Sequence, residues 1–497
     1  MSTVQPTDWV ARAADLTLPH LAFINGQNVS ALSGKTTAVT NPANGQRLTD
    51  MADCGPEDAD VAVKVARAVF ESGCWSQQAP SARKKVLQRW ADLLEKHHEE
   101  LALLESLDAG KPINDTLYVD VPGAINTIRW TAEAVDKVYE QVAPTGHDCL
   151  ALVTRMPLGV VTAIVPWNFP ISTTAWKLAP ALATGNSVIL KPDPKTPLTA
   201  LRIAQLASEA GLPDGVLNVL PGDGINLGRH LSLHPDIDGQ TFTGSTAVGK
   251  LLTQYSGQSN LKRTFLELGG KSANIVFADA NLDKAASLAV IGGFYNSGQT
   301  CTAATRLLVE QSIHDEFVER VIEKARRWTP GDPLLGKNKM GAIIDQNQLD
   351  TIQRYVELGK QEGATLAMGG QQVQAESGGF YHQATLFTGV TNQMRIAREE
   401  IFGPVVSVIP FTDMADAISI ANDSPYGLAG AVWSQNINTA HKVAAAIRTG
   451  TMGINNYFGG DMTVPFGGFK ESGNGRDKSL HAMDDYTELK TTWIEFD

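Results

Sequence analysis

Leu158-Gly-Val-Val-Thr-Ala-Ile-Val-Pro-Trp-Asn-Phe-Pro170 is the stretch whose reading decides the fold. Residues 159–165 are β-prone and almost entirely apolar, with no alternation. A strand of that kind is covered on both faces. Pro166 and Pro170 stop it, and an apolar helical pattern follows over 171–183. The pair then repeats. Strands at 187–191, at 216–220 and in the segment ending in Phe242 alternate with helices near 197–210 and 225–233. Such alternation predicts a parallel sheet wrapped by helices. A second alternating run begins near Asn274-Ile-Val-Phe277 and continues to about Asn455. The fold class is α/β, with two α/β domains.

Upstream the pattern is different. Residues 1–20 read as a loose lead-in, and Phe23-Ile-Asn-Gly26 as a short strand and turn. Residues 57–71 suit an exposed amphipathic helix. A two-piece helical pattern over 81–107 ends at Leu107-Asp-Ala-Gly-Lys-Pro112, and a further helix spans about 124–139. Leu150-Ala-Leu-Val153, between Pro144 and Pro157, has no helix after it and reads as one arm of an extended hairpin. Residues 487–496 alternate like a terminal strand.

A chain of 497 residues is too long for one ordinary core. With 43% hydrophobic and 19% charged residues it is globular. A net charge of -12 argues against nucleic acid and anionic membrane as partners. The N-terminal residues lack the basic and apolar regions of a secretory signal. The most apolar segment, 158–167, is about half a membrane span. Cys54, Cys74, Cys149 and Cys301 show neither disulfide density nor metal spacing, so reduced thiols, a cytoplasmic setting and no metal are expected.

Several residues carry chemistry. Cys301 closes Phe294-Tyr-Asn-Ser-Gly-Gln-Thr-Cys-Thr302, a Gly-containing connector between a helix and a strand. Such a connector presents a reactive group from a rigid frame; a buried structural thiol is the other reading. Phe265-Leu-Glu267-Leu-Gly-Gly-Lys271 places one carboxylate in an apolar run. Burial there raises its pKa towards the range of a general base, although an ion-pair partner fits equally. Asn168, fixed between prolines and aromatics, suits an oxyanion donor or a plain turn. Leu220-Pro-Gly222-Asp-Gly224-Ile-Asn-Leu-Gly228 and Phe242-Thr-Gly-Ser245-Thr246 each lead from strand to helix. They can cradle a phosphate or simply cap a helix. Lys191 ends a strand where an adenosine ribose would lie, or is a solvated charge.

Together these pieces resemble the aldehyde dehydrogenase superfamily. Phe265 to Ser272 looks like its glutamate signature, and Phe294 to Cys301 like its cysteine signature. Pro166-Trp-Asn-Phe-Pro170, Phe242-Thr-Gly-Ser-Thr246, Glu399-Glu-Ile-Phe-Gly-Pro404 and Pro465-Phe-Gly-Gly-Phe-Lys470 also match. The resemblance runs from about Phe23 to the C-terminus. It implies two Rossmann-like α/β domains plus a small β oligomerisation arm. The dinucleotide-binding domain would comprise 1–140 and 158–266, the catalytic domain 267–480, and the arm 141–157 and 481–497. It implies NAD(P)-dependent oxidation of an aldehyde through a thiohemiacetal and thioester on Cys301. Glu267 would be the base and Asn168 the oxyanion donor, with Lys177 and Asp477 as a relay. Trp167, Lys191, Gly224, Phe242, Ser245, Leu268, Glu400 and Phe402 would surround NAD. Pro194 stands where many NAD-preferring relatives carry Glu, so NADP is expected to be tolerated.

Phe169, Trp176 and Phe466 match positions lining an aromatic substrate tunnel. Further matches, including Asp120-Val-Pro-Gly123 and Gly473-Asn-Gly-Arg-Asp-Lys-Ser-Leu-His481, resemble the bacterial branch that oxidises ω-amino, γ-glutamylamino or guanidino aldehydes in polyamine breakdown. Asp120 and Asp461 are acids that could meet a cationic tail. The alternatives are a broad aliphatic aldehyde dehydrogenase, or a betaine or semialdehyde type, with esterase side activity. An arm with no core of its own needs a neighbour, so a homodimer or tetramer is expected.

Overall fold

The computed structural model describes residues 8–457 and 459–497. The lead-in expected over 1–20 falls partly outside the described residues. From Asp8 onward it is more ordered than the sequence suggests, because Asp8 caps a short helix, Trp9–Ala14.

The first sheet has seven strands. In spatial order they are Arg263–Glu267, Gly239–Thr243, Val160–Ile164, Ser187–Lys191, Leu217–Val219, Ala22–Ile24 and Gln27–Val29. The first five run parallel. Ala22–Ile24 joins antiparallel and turns back as a hairpin. All residues of Val160–Ile164, Ser187–Lys191 and Gly239–Thr243 are buried, which explains the absence of alternation in their sequences. Each buried Val or Ile among them contributes about 1.5–3 kcal/mol. Helix Pro170–Ala183 starts with proline at its first position, where no N–H is needed, and is buried along nearly its whole length.

The second sheet also has seven strands, ordered Thr365–Met368, Thr385–Thr388, Val405–Phe411, Arg306–Glu310, Ala273–Val276, Ala429–Trp433 and Thr451–Ile454. Only the pairing of Thr365–Met368 is antiparallel. These are the two Rossmann-like halves. A third, three-stranded sheet pairs Thr487–Glu495 with Cys149–Pro157, and the latter with Gln141–Ala143. Its nine-residue register joins the C-terminus to the predicted hairpin. Leu489, Trp493 and Phe496 on the terminal segment are exposed.

The helix expected over 124–139 is Val121–Ala134 and follows a π-helical turn, Thr116–Asp120. After the second sheet the chain returns to the first. An isolated bridge pairs Gly473 with Glu267, and another pairs Phe466 with Asp477. This return brings the 465–477 segment against the edge strand that ends in Glu267.

Candidate active site

The connector carrying Cys301 is held by its backbone shape and by amide bonds. Asn296, Ser297 and Gly298 lie consecutively in the left-handed region, with φ of 50°, 54° and 71°. At Gly298 a Cβ would stand 2.3 Å from the carbonyl carbon of Gly403, so only glycine fits. The Gln299 side chain donates to the carbonyl oxygens of Asn296 and Ala342, and its Oε1 accepts from the Ile344 N–H at 2.9 Å. Tyr457 donates to the Thr302 carbonyl oxygen. The loop is therefore fixed from several sides before any ligand binds.

Asn168 lies beside this loop. Its Nδ2 donates one hydrogen to the Gln299 carbonyl oxygen at 2.9 Å, and its carbonyl oxygen accepts from Asn296 Nδ2 at 2.9 Å. An amide carries two N–H bonds, so one remains for a ligand. Burial raises the Cys301 thiol well above its ordinary pKa, and the charges of Glu267 and Glu400 add to this. The N–H groups of Thr302 and of Cys301 itself partly oppose it. Glu267 is 1% exposed, and neither carboxylate oxygen has a hydrogen-bond partner among the described residues. Burial, then Asp477, push its pKa well up, while Lys177 and Arg476 pull it down. Lys177 and Asp477 form a buried ion pair at 2.7 Å.

Cys301, Glu267 and Asn168 line one cavity of about 710 Å³. On one side it is bounded by Trp167, Thr243, Gly244, Ser245, Leu268, Gly269, Glu400 and Phe402. Trp167 and Phe402 meet edge to face at 5.1 Å. Ser245 caps helix Thr246–Gln258. Phe242 is buried beneath Gly244. Burial lifts the Glu400 carboxyl to about 7, and it accepts from the Gly270 N–H at 3.0 Å. A Cβ on Gly269 would stand 2.0 Å from Glu400, so this carboxylate packs directly on the backbone. Lys191 and Gly224 lie farther out. Lys191 is 3% exposed, with its ammonium on the Pro192 carbonyl oxygen and its pKa lowered by burial. It is a buried cation at a strand end, not a solvated charge. A capped helix N-terminus and a buried carboxylate on the groove, with a buried ammonium beyond it, fit the polar groups of a dinucleotide.

On the other side Phe169, Trp176 and Phe466 form the wall, with Trp176 and Phe466 at 5.1 Å. The two acids expected to meet a cationic tail behave differently. Asp120 reaches the cavity but pairs with Lys111 at 2.7 Å, both side chains being almost fully buried. Its charge is therefore partly balanced by Lys111 before any substrate enters. Asp461 is exposed at the mouth, held by the Thr463 N–H. Sequence reasoning missed Lys478, Gln299 and Tyr295 as lining or supporting residues. The position of Lys478 directly after Asp477 was the one available signal.

A family model described as the aldehyde dehydrogenase family matches residues 29–492. The chain belongs to the aldehyde dehydrogenase family. This dehydrogenase is 50% identical over 490 residues to an NADP/NAD-dependent aldehyde dehydrogenase, PuuC, of Escherichia coli K12, covering 98% of each chain. Among solved structures, a γ-glutamyl-γ-aminobutyraldehyde dehydrogenase from Burkholderia cenocepacia superposes with a TM-score of 0.97 at 54% identity, covering 99% of each chain. An indole-3-acetaldehyde dehydrogenase from P. syringae, in complex with NAD+ and IAA, superposes with a TM-score of 0.98 at 55% identity. It covers 98% of this chain and 99% of that one. The dehydrogenase is thus an oxidoreductase that oxidises aldehydes with NAD(P). Among its described residues no helix is long and apolar enough to cross a membrane.

Proposed function

We propose that this dehydrogenase oxidises aldehydes bearing an ω-amino, γ-glutamylamino or guanidino tail, of the kind formed in polyamine breakdown, with NAD and with NADP. The observation that carries the reading is one continuous cavity. It places Cys301, Glu267 and Asn168 between a polar groove and an aromatic tunnel with charged groups at its mouth. The γ-glutamylamino substrate named for the Burkholderia structure supports the tail.

Cys301 Sγ bonds to the aldehyde carbon, and the thiol proton passes to the Glu267 carboxylate, which releases it before the hydrolytic step. The oxyanion accepts from the free Asn168 N–H and the Cys301 backbone N–H. The cofactor, when bound, supplies the acceptor for the hydride leaving that carbon. Trp167, Lys191, Ser245, Glu400 and Phe402 would hold it. A thioester on Cys301 remains; Glu267 takes a proton from the attacking water, the C–S bond breaks, and the carboxylic acid leaves as Cys301 Sγ is regenerated. The Lys177–Asp477 pair tunes Glu267 through its charges. The cofactor-binding half would be 1–140 with 158–266, the catalytic half 267–480, and the arm 141–157 with 481–497. The arm would pair with a second copy in a cytoplasmic homodimer or tetramer, its exposed Leu489, Trp493 and Phe496 being covered there.

The test is initial rate at 340 nm with 3-aminopropanal, 4-aminobutanal, its γ-glutamyl and guanidino analogues, propanal, betaine aldehyde and succinic semialdehyde, each with NAD and NADP. The tailed amines should exceed propanal in kcat/KM. Equal rates on propanal would make the enzyme a broad aliphatic one, and an NAD preference of about a hundredfold, or about 2.7 kcal/mol, would refute NADP use.

A further inference from the structure

The cavity mouth holds two unlike charges that the reaction itself does not use. Lys478 lines the cavity with Trp176, Asp461 and Met462. Lys478 and Ser479 both have positive φ, 64° and 52°. Non-glycine residues rarely adopt it, and such conformations cluster at ligand sites. The turn is held because the Ser479 N–H donates to the Met462 carbonyl oxygen at 2.9 Å.

The Lys478 ammonium has no hydrogen-bond or ion-pair partner among the described residues; it stands 5.8 Å from the Trp176 ring centroid. It is half-buried, and burial lowers its pKa. An ammonium stripped of water without a partner gains most from a carboxylate. Asp461, across the mouth, is already ordered by the Thr463 hydroxyl and by the Thr463 N–H at 2.7 Å, which together keep its pKa low. Each charge feels the other, yet no ion pair joins them. Asp120, the other aspartate of the cavity, already has Lys111 as its ion-pair partner at 2.7 Å.

We propose that Lys478 and Asp461 form a subsite for a zwitterionic α-amino acid head, its carboxylate on Lys478 and its ammonium on Asp461. This rests on the function proposed above and narrows it. A simply cationic tail gains Asp461 but meets the like charge of Lys478. A simply anionic tail gains Lys478 but meets Asp461. An α-amino acid head, such as the end of a γ-glutamylamino aldehyde, satisfies both.

The test measures kcat/KM for butanal, 4-aminobutanal, succinic semialdehyde and 4-(γ-glutamylamino)butanal. The last is also made N-acetylated and as its α-amide. In the wild-type enzyme the intact zwitterion should lead 4-aminobutanal by about tenfold or more, and each blocked head should lose roughly tenfold. In Lys478→Met the ratio of γ-glutamyl substrate to butanal should fall roughly ten- to hundredfold, through KM and not kcat, and Lys478→Arg should recover most of it. A ratio within about threefold of wild type in Lys478→Met overturns the subsite. So does equal use of the α-amide by the wild-type enzyme, which needs no variant to fold. Butanal exceeding every tailed aldehyde would instead refute the broader function, and the subsite with it.

Discussion

Replacing Asp477 by Asn tests the buried pair behind Glu267. Lys177 and Asp477 are 3% and 5% exposed at the side chain and meet at 2.7 Å. Removing one partner leaves the other charge buried and uncompensated, a loss of about 3–5 kcal/mol. Asp477→Asn and Lys177→Met should each lower the midpoint of thermal unfolding. The double variant Lys177→Met/Asp477→Asn should be clearly more stable than the sum of the two losses predicts, because no charge is then stranded. The two single variants also act oppositely on Glu267. Asp477 raises its pKa and Lys177 lowers it. Asp477→Asn removes the anion and keeps the cation, so the acid limb of the kcat–pH profile should move down. Lys177→Met should move it up, each by about one pH unit. The assay is steady-state kcat from below pH 6 to above pH 9, beside scanning calorimetry of all four proteins. Strict additivity of the stability losses, or acid limbs moving the same way, would refute the reasoning.

Other outcomes follow from the same geometry. Glu267→Gln should keep the first turnover of NADH as a burst while steady-state kcat falls about 10²–10⁴-fold, since the base is needed for the attacking water; stopped-flow absorbance at 340 nm separates the two phases. Because burial raises both the Cys301 thiol and Glu267, their deprotonated forms are favoured as pH rises, so wild-type kcat/KM should climb through neutral pH into the alkaline range. Gly298→Ala places a Cβ 2.3 Å from the Gly403 backbone at a φ of 71°. It should cost at least about 1–2 kcal/mol and slow the labelling of Cys301 by iodoacetamide, read by mass spectrometry. Trp493→Lys, on the exposed arm face, should shift the oligomer towards smaller species in analytical ultracentrifugation while the circular dichroism spectrum is retained.

Much of this chain was legible without coordinates because its signals are local. Short β-branched apolar runs such as 159–165, stopped by proline, read as strands covered on both faces, and their alternation with helices points to a parallel sheet. Pro170 and the Gly pair after Leu268 mark junctions by their backbone restrictions alone. Glu267 stood out as a carboxylate in an apolar run, Cys301 as a thiol on a Gly-containing connector, and Asn168 as an amide fixed between prolines and aromatics. Tertiary structure decided what depends on distance between remote segments. Asp120 and Asp461 looked equivalent as acids, yet Lys111 stands 2.7 Å from the first, and among the described residues no cation pairs with the second. Lys191 read either as a ribose contact or as a solvated charge, and the sheet enclosed it. The approach of Asp477 to Lys177, 300 residues away, depends on the 465–477 segment crossing back over the first sheet. No periodicity encodes that crossing, because sequence patterns report which face of an element is buried and not which remote side chain will lie against it.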